Sequence, residues 1–516
     1  SLPGCLLVAA SGLTSSPSGA GLFFEALQGH GLLLPISSKG QLRPRRNSSS
    51  TALSSIRRGA LGSSTTLTKL VFLNNNIQEL EAGAFRELPS LAELEVSGNP
   101  LAAVSPEVLA GLPSLSKLSL GANAIRSLQP GLFTTTYHLQ DLCLPGNKIE
   151  ALPPNIFHPL QRLQTLDLSQ NLLTELPDGL LAPLAALHLL KLSDNLLAQV
   201  CPGAFKALGR LAELHLDGNR LEELPVGAFA GLGGLQRLQL QHNALVNLPP
   251  DIFTSLPNLT VLSLEGNRLA TLPAALFTST PHLLYLSLAR NQLETLPQQL
   301  FSNLSALQTL VLSHNAMVHL PAGVFQGLSG LVTLQLSHNN FSSLPAGLLA
   351  GLPLLTTLAL VHNRLARLPP EFFDANEELV HVLLANNPWA CDCGLAYLLG
   401  WLQTFAEPLI HAQASCASPA ALQGRSLLEV PQGQLECPGA PGVPPEEGWD
   451  GEAWPAAPQS APERFRDPWR WGTKSQQHCP PRGCTCVCMH VCVCVCVCVF
   501  VGTCMCVYVR GARPAG

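Results

Sequence analysis

"LAELEVSGNPL", residues 91–101, carries leucine at its first, fourth and last positions, valine at its sixth and asparagine at its ninth. "LSKLSLGANAI" (115–125) and "LQDLCLPGNKI" (139–149) repeat that frame at intervals of 24 residues. The pattern LxxLxLxxNxL recurs in fourteen registers without an insertion. Its asparagines are Asn75, Asn99, Asn123, Asn147, Asn171, Asn195, Asn219, Asn243, Asn267, Asn291, Asn315, Asn339, Asn363 and Asn387. Alternation with period two across LxL predicts a short strand in each repeat with its leucines pointing inward. Strands of successive repeats then stack in parallel about 4.8 Å apart.

A fixed period of this length is the mark of a solenoid, in which no repeat buries its apolar face alone. The expected fold class is an α/β leucine-rich-repeat solenoid, with a curved, parallel concave sheet and 24-residue repeats. An inward asparagine is costly to bury unless its amide bonds to neighbouring backbone, so the asparagines are expected to form a hydrogen-bonded ladder. Ten residues after most of them stands a phenylalanine, at Phe85, Phe133, Phe157, Phe205, Phe229, Phe253, Phe277, Phe301, Phe325 and Phe373, which predicts a second buried column. Recurrent Leu-Pro pairs such as Leu152-Pro153 and Leu320-Pro321 start the return segment and remove a backbone donor there.

Composition agrees with a repeat rather than an ordinary core: 47% of the 516 residues are apolar, but only 5% aromatic and 12% charged. The formal net charge of −5 gives no reason to expect a nucleic-acid or anionic-membrane partner. The array needs a cover at its end, and "NPWACDCGLAYLLGWL" (387–402) supplies one. Trp389 takes the slot that other repeats fill with Leu, Ile, Met or Phe, and residues 394–405 are expected to form an amphipathic helix over the last rung. Cys391, Cys393, Cys416 and Cys437 make one compact set. Their CxC spacing favours disulfides over a zinc site, and two bridges could connect them in three ways. Bridges of this kind imply an oxidising compartment and a secreted or cell-surface chain. Sequons at Asn258, Asn303 and Asn340 are glycosylation candidates, the first two on the convex or flank side. Asn47 starts a fourth sequon in an unpatterned segment.

Three stretches resemble a known family: "LTKLVFLNNNIQEL" (67–80), "LSLARNQLETLP" (286–297) and "NPWACDCGLAYLLGWLQTF" (387–405) are similar to the regulatory subunits of carboxypeptidase N. The resemblance covers roughly residues 67–437. It implies a glycosylated, non-catalytic plasma protein that binds and stabilises a zinc carboxypeptidase, the partner that removes C-terminal Lys or Arg from peptides. It also implies the pairing Cys391–Cys416 and Cys393–Cys437. The cysteine-rich N-terminal cap of the family has no counterpart in residues 1–66.

The resulting division is an irregular segment at 1–66, disordered or foreign to the native chain; repeats at 67–386; the last repeat and cysteine-rich cap at 387–437; and a disordered tail at 438–516. Ten of the 17 cysteines lie between Cys479 and Cys506, where the Cys-Val alternation is what a translated TG repeat would produce. It is read as such rather than as a membrane anchor, and no membrane partner is expected. Cys143 and Cys201 are too far apart to bridge each other and are read as free thiols.

No motif for catalysis or a cofactor is present: none of the 15 histidines is followed three residues later by glutamate, and HExxH, P-loop and GxSxG patterns are missing. His314, His338 and His362 recur beside three successive ladder asparagines, with His242 three repeats earlier. No carboxylate or cysteine joins them, which favours a pH-sensitive patch over a metal site. In the last four repeats the outward strand positions, Thr309, Val311, Val332, Gln335, Thr357, Ala359, Val361, Val380, Leu383 and Ala385 among them, include no Asp, Glu, Lys or Arg. Earlier repeats carry Glu93, Glu95, Asp167, Lys191, Asp217 and Arg237 there. A neutral surface of this kind fits protein docking, with Val311, Gln335, Val361 and Leu383 as its candidate contacts. The functional expectation is a secreted scaffold for a catalytic zinc carboxypeptidase subunit; the alternative is an extracellular ligand-binding protein or cell-surface receptor.

Overall fold

The computed structural model describes residues 53–405, 414–435 and 437. Fourteen strands, from Lys69–Leu73 to His381–Leu383, form one parallel sheet in sequence order. Each residue pairs with the one 24 positions on, as in Leu94 with Leu118 and Leu238 with Leu262. Most strands are three residues long, because only the xLx centre of each repeat runs straight before the chain turns. The central leucine is buried while its neighbours face out, as expected from strand alternation.

Behind the sheet runs one continuous apolar core from Ile56 to Val430. All ten expected phenylalanines are buried in it. The rings of Phe229, Phe253, Phe277, Phe301 and Phe325 stack at centroid distances of 6.1–6.4 Å. Turns make up nearly all of the return segments. Pro106–Leu109 and Ala396–Phe405 are the α-helices among the described residues. The prolines that open most returns withhold the donor a regular helix would need.

The solenoid starts before residue 67. Ser55–Ile56 pairs in parallel with Glu79–Leu80, and Ile56 is buried. The 24-residue register therefore extends into the segment expected to be irregular, with Ile56, Leu61 and Leu67 standing 24 residues before Leu80, Phe85 and Leu91. This half-rung has a return segment without an LxxLxLxxN strand, so the repeat pattern does not mark it. "GAL" at 59–61 against "GAF" at 83–85 was the available signal, and Gly59 and Gly83 share φ values of 75° and 74°.

At the other end the chain closes on itself. Trp389 is fully buried and donates its indole N–H to the Leu384 carbonyl at 3.0 Å. Trp389–Ala390 pairs with Cys416–Ser418, and Leu395, Leu398, Leu399 and Leu402 cover the last rung. Disulfides join Cys391 to Cys416 and Cys393 to Cys437. The Asp392 carboxylate accepts from the Gly394 amide at 2.9 Å and binds Arg367 of the last full repeat. The Cys-Val run and Asn47 lie outside the described residues, among which no helix is long and apolar enough to cross a membrane.

Candidate protein-docking face

The asparagine ladder sets the geometry of the sheet face. From Asn99 to Asn387 every ladder amide donates to a carbonyl 27 residues earlier, as Asn219 does to Leu192 at 2.9 Å. Its oxygen accepts the amide 22 residues back, as Asn243 does from Leu221 at 3.1 Å. Two members depart from this. Asn75, at the edge, donates to Leu73, and the buried Oδ1 of Asn123 has no partner among the described residues. The residue before each ladder asparagine adopts positive φ in all fourteen repeats, from Asn74 (53°) to Asn386 (56°). That conformation favours Gly, Asn, Asp and His. Histidine at 242, 314, 338 and 362 is therefore in part a backbone requirement, which the sequence period alone does not reveal.

The outward residues on the sheet divide into two halves of different character. In the first, charges pair across rungs: Lys69 with Glu93 at 2.8 Å, Lys191 with Asp167 at 3.7 Å and Arg237 with Glu213 at 3.7 Å. Asp217 accepts from the Ser193 hydroxyl at 2.7 Å. In the second half Val311, Gln335, Ala359 and Leu383 stand in one cross-rung row. Leu383 and Val380 are exposed, Val311 and Gln335 half-buried, and Val361 lies just beyond the strand, its amide donating to Ser337 Oγ at 3.2 Å. The uncharged surface reaches further back than the sequence reading placed it. Val261 and Tyr285, both half-buried, hold the outward position of Thr309 two rungs and one rung earlier, Ser263 and Ser287 beside them are buried, and the nearby charges Glu265 and Arg290 neutralise each other at 3.3 Å. The same offsets in the sequence carried this signal.

Along the edge of that half the rings of His314, His338 and His362 stack nearly parallel. Parallel imidazoles point their in-plane lone pairs along parallel lines, so the three do not converge on one ion. Burial, ahead of the neighbouring charges, holds His314 and His338 below the ordinary value of 6.5.

Asn258 and Asn303 are exposed on the return segments, where their amides donate to Gly233 at 2.8 Å and Thr278 at 3.3 Å. Asn340 is half-buried immediately after a ladder asparagine. Cys143 is not a free thiol. It is disulfide-bonded, with its partner outside the described residues, since the distance argument excluded Cys201 alone and no other cysteine. Cys201 is free and half-buried; burial, then Asp178 and Glu175, push its thiol pKa up.

Comparison with known families matches the leucine-rich-repeat model over residues 49–101 and, in overlapping segments, from 113 to 365. The chain is a leucine-rich-repeat protein. The leucine rich repeat C-terminal domain matches residues 413–438, the second half of the cap. Human carboxypeptidase N subunit 2 is 44% identical over 97 residues, which is 18% of each chain, and human platelet glycoprotein V is 38% identical over 100 residues, again 18% of each. The chain therefore covers under a fifth of these relatives' own length. Among solved structures, Toll in the Drosophila Toll–Spatzle complex aligns with a TM-score of 0.57 at 26% identity, covering 74% of this leucine-rich-repeat protein and 59% of that chain. A leucine-rich-repeat protein of Leptospira interrogans aligns with a TM-score of 0.51 at 30% identity, over 64% of this chain and 86% of its own.

Proposed function

We propose that this leucine-rich-repeat protein is a secreted, glycosylated, non-catalytic scaffold that holds and stabilises a zinc carboxypeptidase through the uncharged half of its sheet face. The observation that carries the proposal is the 44% identity to carboxypeptidase N subunit 2, coupled with an uncharged docking surface next to a disulfide-locked cap. Uncharged residues on a rigid face lose little on desolvation, which suits a protein interface. Disulfides and exposed sequons at Asn258 and Asn303 fit an extracellular setting. The partner performs the hydrolysis; the scaffold contributes binding and shielding.

The test is capture from plasma by the immobilised full chain, with the eluate assayed for removal of C-terminal Arg. Enrichment of carboxypeptidase that withstands higher temperature when bound supports the scaffold; a folded bait that captures none refutes it. The likeness to platelet glycoprotein V and to Toll, solved in complex with Spatzle, favours a second reading as an extracellular ligand-binding protein or receptor. Capture of a different extracellular protein would support it.

A further inference from the structure

The histidine column borders the uncharged face and is unusually constrained. Ring centroids are 4.0 Å apart for His314–His338 and 4.3 Å for His338–His362, with interplanar angles of 10° and 21°. Each histidine holds the left-handed position, with φ of 58°, 55° and 55°. Each also donates its amide across the rung: to Ser337 at 2.9 Å, Val361 at 2.8 Å and Ala385 at 3.1 Å. The ladder therefore holds the three backbone positions one rung apart, where the rings stand stacked. Arg290, paired with Glu265, stands on the side of His314, and the Asn386 amide meets His362 Nε2 at 2.9 Å at the other end. Arg290 and Glu265 are the charged side chains acting on the column; the other titratable groups acting on it are its own imidazoles.

We propose that this column makes docking on the uncharged face acid-labile, so that a protein partner covering Val361 and the histidines beside it at pH 7.4 is released as the column takes up protons. This rests on the docking function proposed above. Covering an imidazole with uncharged protein surface removes water from its charged form and leaves its neutral form almost unaffected. A second proton, about one ring spacing from the first, meets repulsion that burial under a partner strengthens. By linkage, a complex that excludes one proton loses at most about tenfold in affinity per pH unit below the titration range. With His314 and His338 held below 6.5, a single excluded proton predicts binding weaker at pH 5.0 than at 7.4 by less than about thirtyfold.

The experiment compares the full chain with a His314→Asn/His338→Asn/His362→Asn variant. Purified plasma zinc carboxypeptidase is the probe, and affinity is measured by surface plasmon resonance at pH 7.4, 6.0 and 5.0. Asparagine already occupies this left-handed position at Asn74 and Asn386, so the variant keeps the backbone, which an unchanged thermal transition at pH 7.4 verifies. The expected result is acid weakening in the native chain and a flat profile in the variant. Titration of the probe itself affects both chains equally and cancels in the comparison. Equal weakening in both, or none in the native chain, overturns the switch while leaving the docking intact. Absence of binding at pH 7.4 overturns carboxypeptidase docking and the switch together.

Discussion

Replacing a ladder asparagine with alanine should cost an amount set by its bonds rather than by its burial. Asn267 donates to Leu240 and Leu264 at 3.0 Å each and accepts from Leu245 at 3.1 Å. Asn267→Ala leaves the Leu245 N–H unpaired in the interior, while the Leu240 and Leu264 carbonyls keep Asn243 and Asn291 as donors. At about 1–3 kcal/mol for that orphaned N–H, plus about 0.5 kcal/mol for each shared carbonyl bond given up, the loss is about 2–4 kcal/mol. Asn123 is also buried and donates to Val96 at 2.7 Å and Leu120 at 2.8 Å, but its Oδ1 accepts from no described residue. Asn123→Ala should therefore be milder by the missing N–H, about 1–2 kcal/mol. Asn75, half-buried, makes a single bond, to Leu73 at 3.1 Å, so Asn75→Ala should cost under about 1 kcal/mol. Urea unfolding followed by far-ultraviolet circular dichroism gives the three values from shifts in midpoint at constant slope. Equal losses for Asn75→Ala and Asn267→Ala would refute the bond-based reasoning and leave the asparagines as simple space-fillers.

Reducing the cap, or substituting Cys391→Ser together with Cys416→Ser, should destabilise by about 2–4 kcal/mol, visible as a lower melting temperature and poorer secretion. Val361→Glu with Leu383→Glu should weaken carboxypeptidase capture at least about tenfold, since buried unpaired carboxylates oppose docking, while the thermal transition stays put. Enzymatic deglycosylation followed by peptide mass spectrometry should find Asn258 and Asn303 occupied and Asn340 less so, because Asn340 is half-buried beside the ladder. Acid should destabilise the isolated chain. His314 and His338 titrate below 6.5 when folded, so the unfolded chain takes up their protons first; stability present above pH 6.5 is lost as pH falls below it, until the folded-state values are passed. Thermal melts between pH 7.5 and 4.5 should show a shallower decline in the triple asparagine variant.

Much of this protein was legible because one chemical arrangement recurs at a fixed interval. The buried leucines, the phenylalanine column from Phe85 to Phe373 and the inward asparagines keep fixed offsets in most repeats, so burial at one rung predicts burial at the next. The uncharged half of the sheet face was legible for the same reason, although the offsets at Val261 and Tyr285 extended it beyond the last four repeats. Ile56 and Leu61 were harder to see, since a half-rung contributes core residues without the strand motif that announces them.

What the period could not specify is what meets across rungs. Stacking of His314, His338 and His362, pairing of Lys191 with Asp167, and the bond between Arg367 and Asp392 join residues about one repeat apart, and depend on how far each backbone turn rotates its side chain toward the next. The left-handed turn before each asparagine is one such determinant: it fixes the direction of the histidine rings, and no residue count expresses it. The disulfide pairing is another, because Cys391 and Cys416 become neighbours only when the Trp389 strand lies beside Cys416–Ser418. Sequence periodicity by itself determined which side chains are inside, because inside is a property that every repeat shares. Which outward side chains touch was decided only by the tertiary structure, because contact depends on the geometry between repeats.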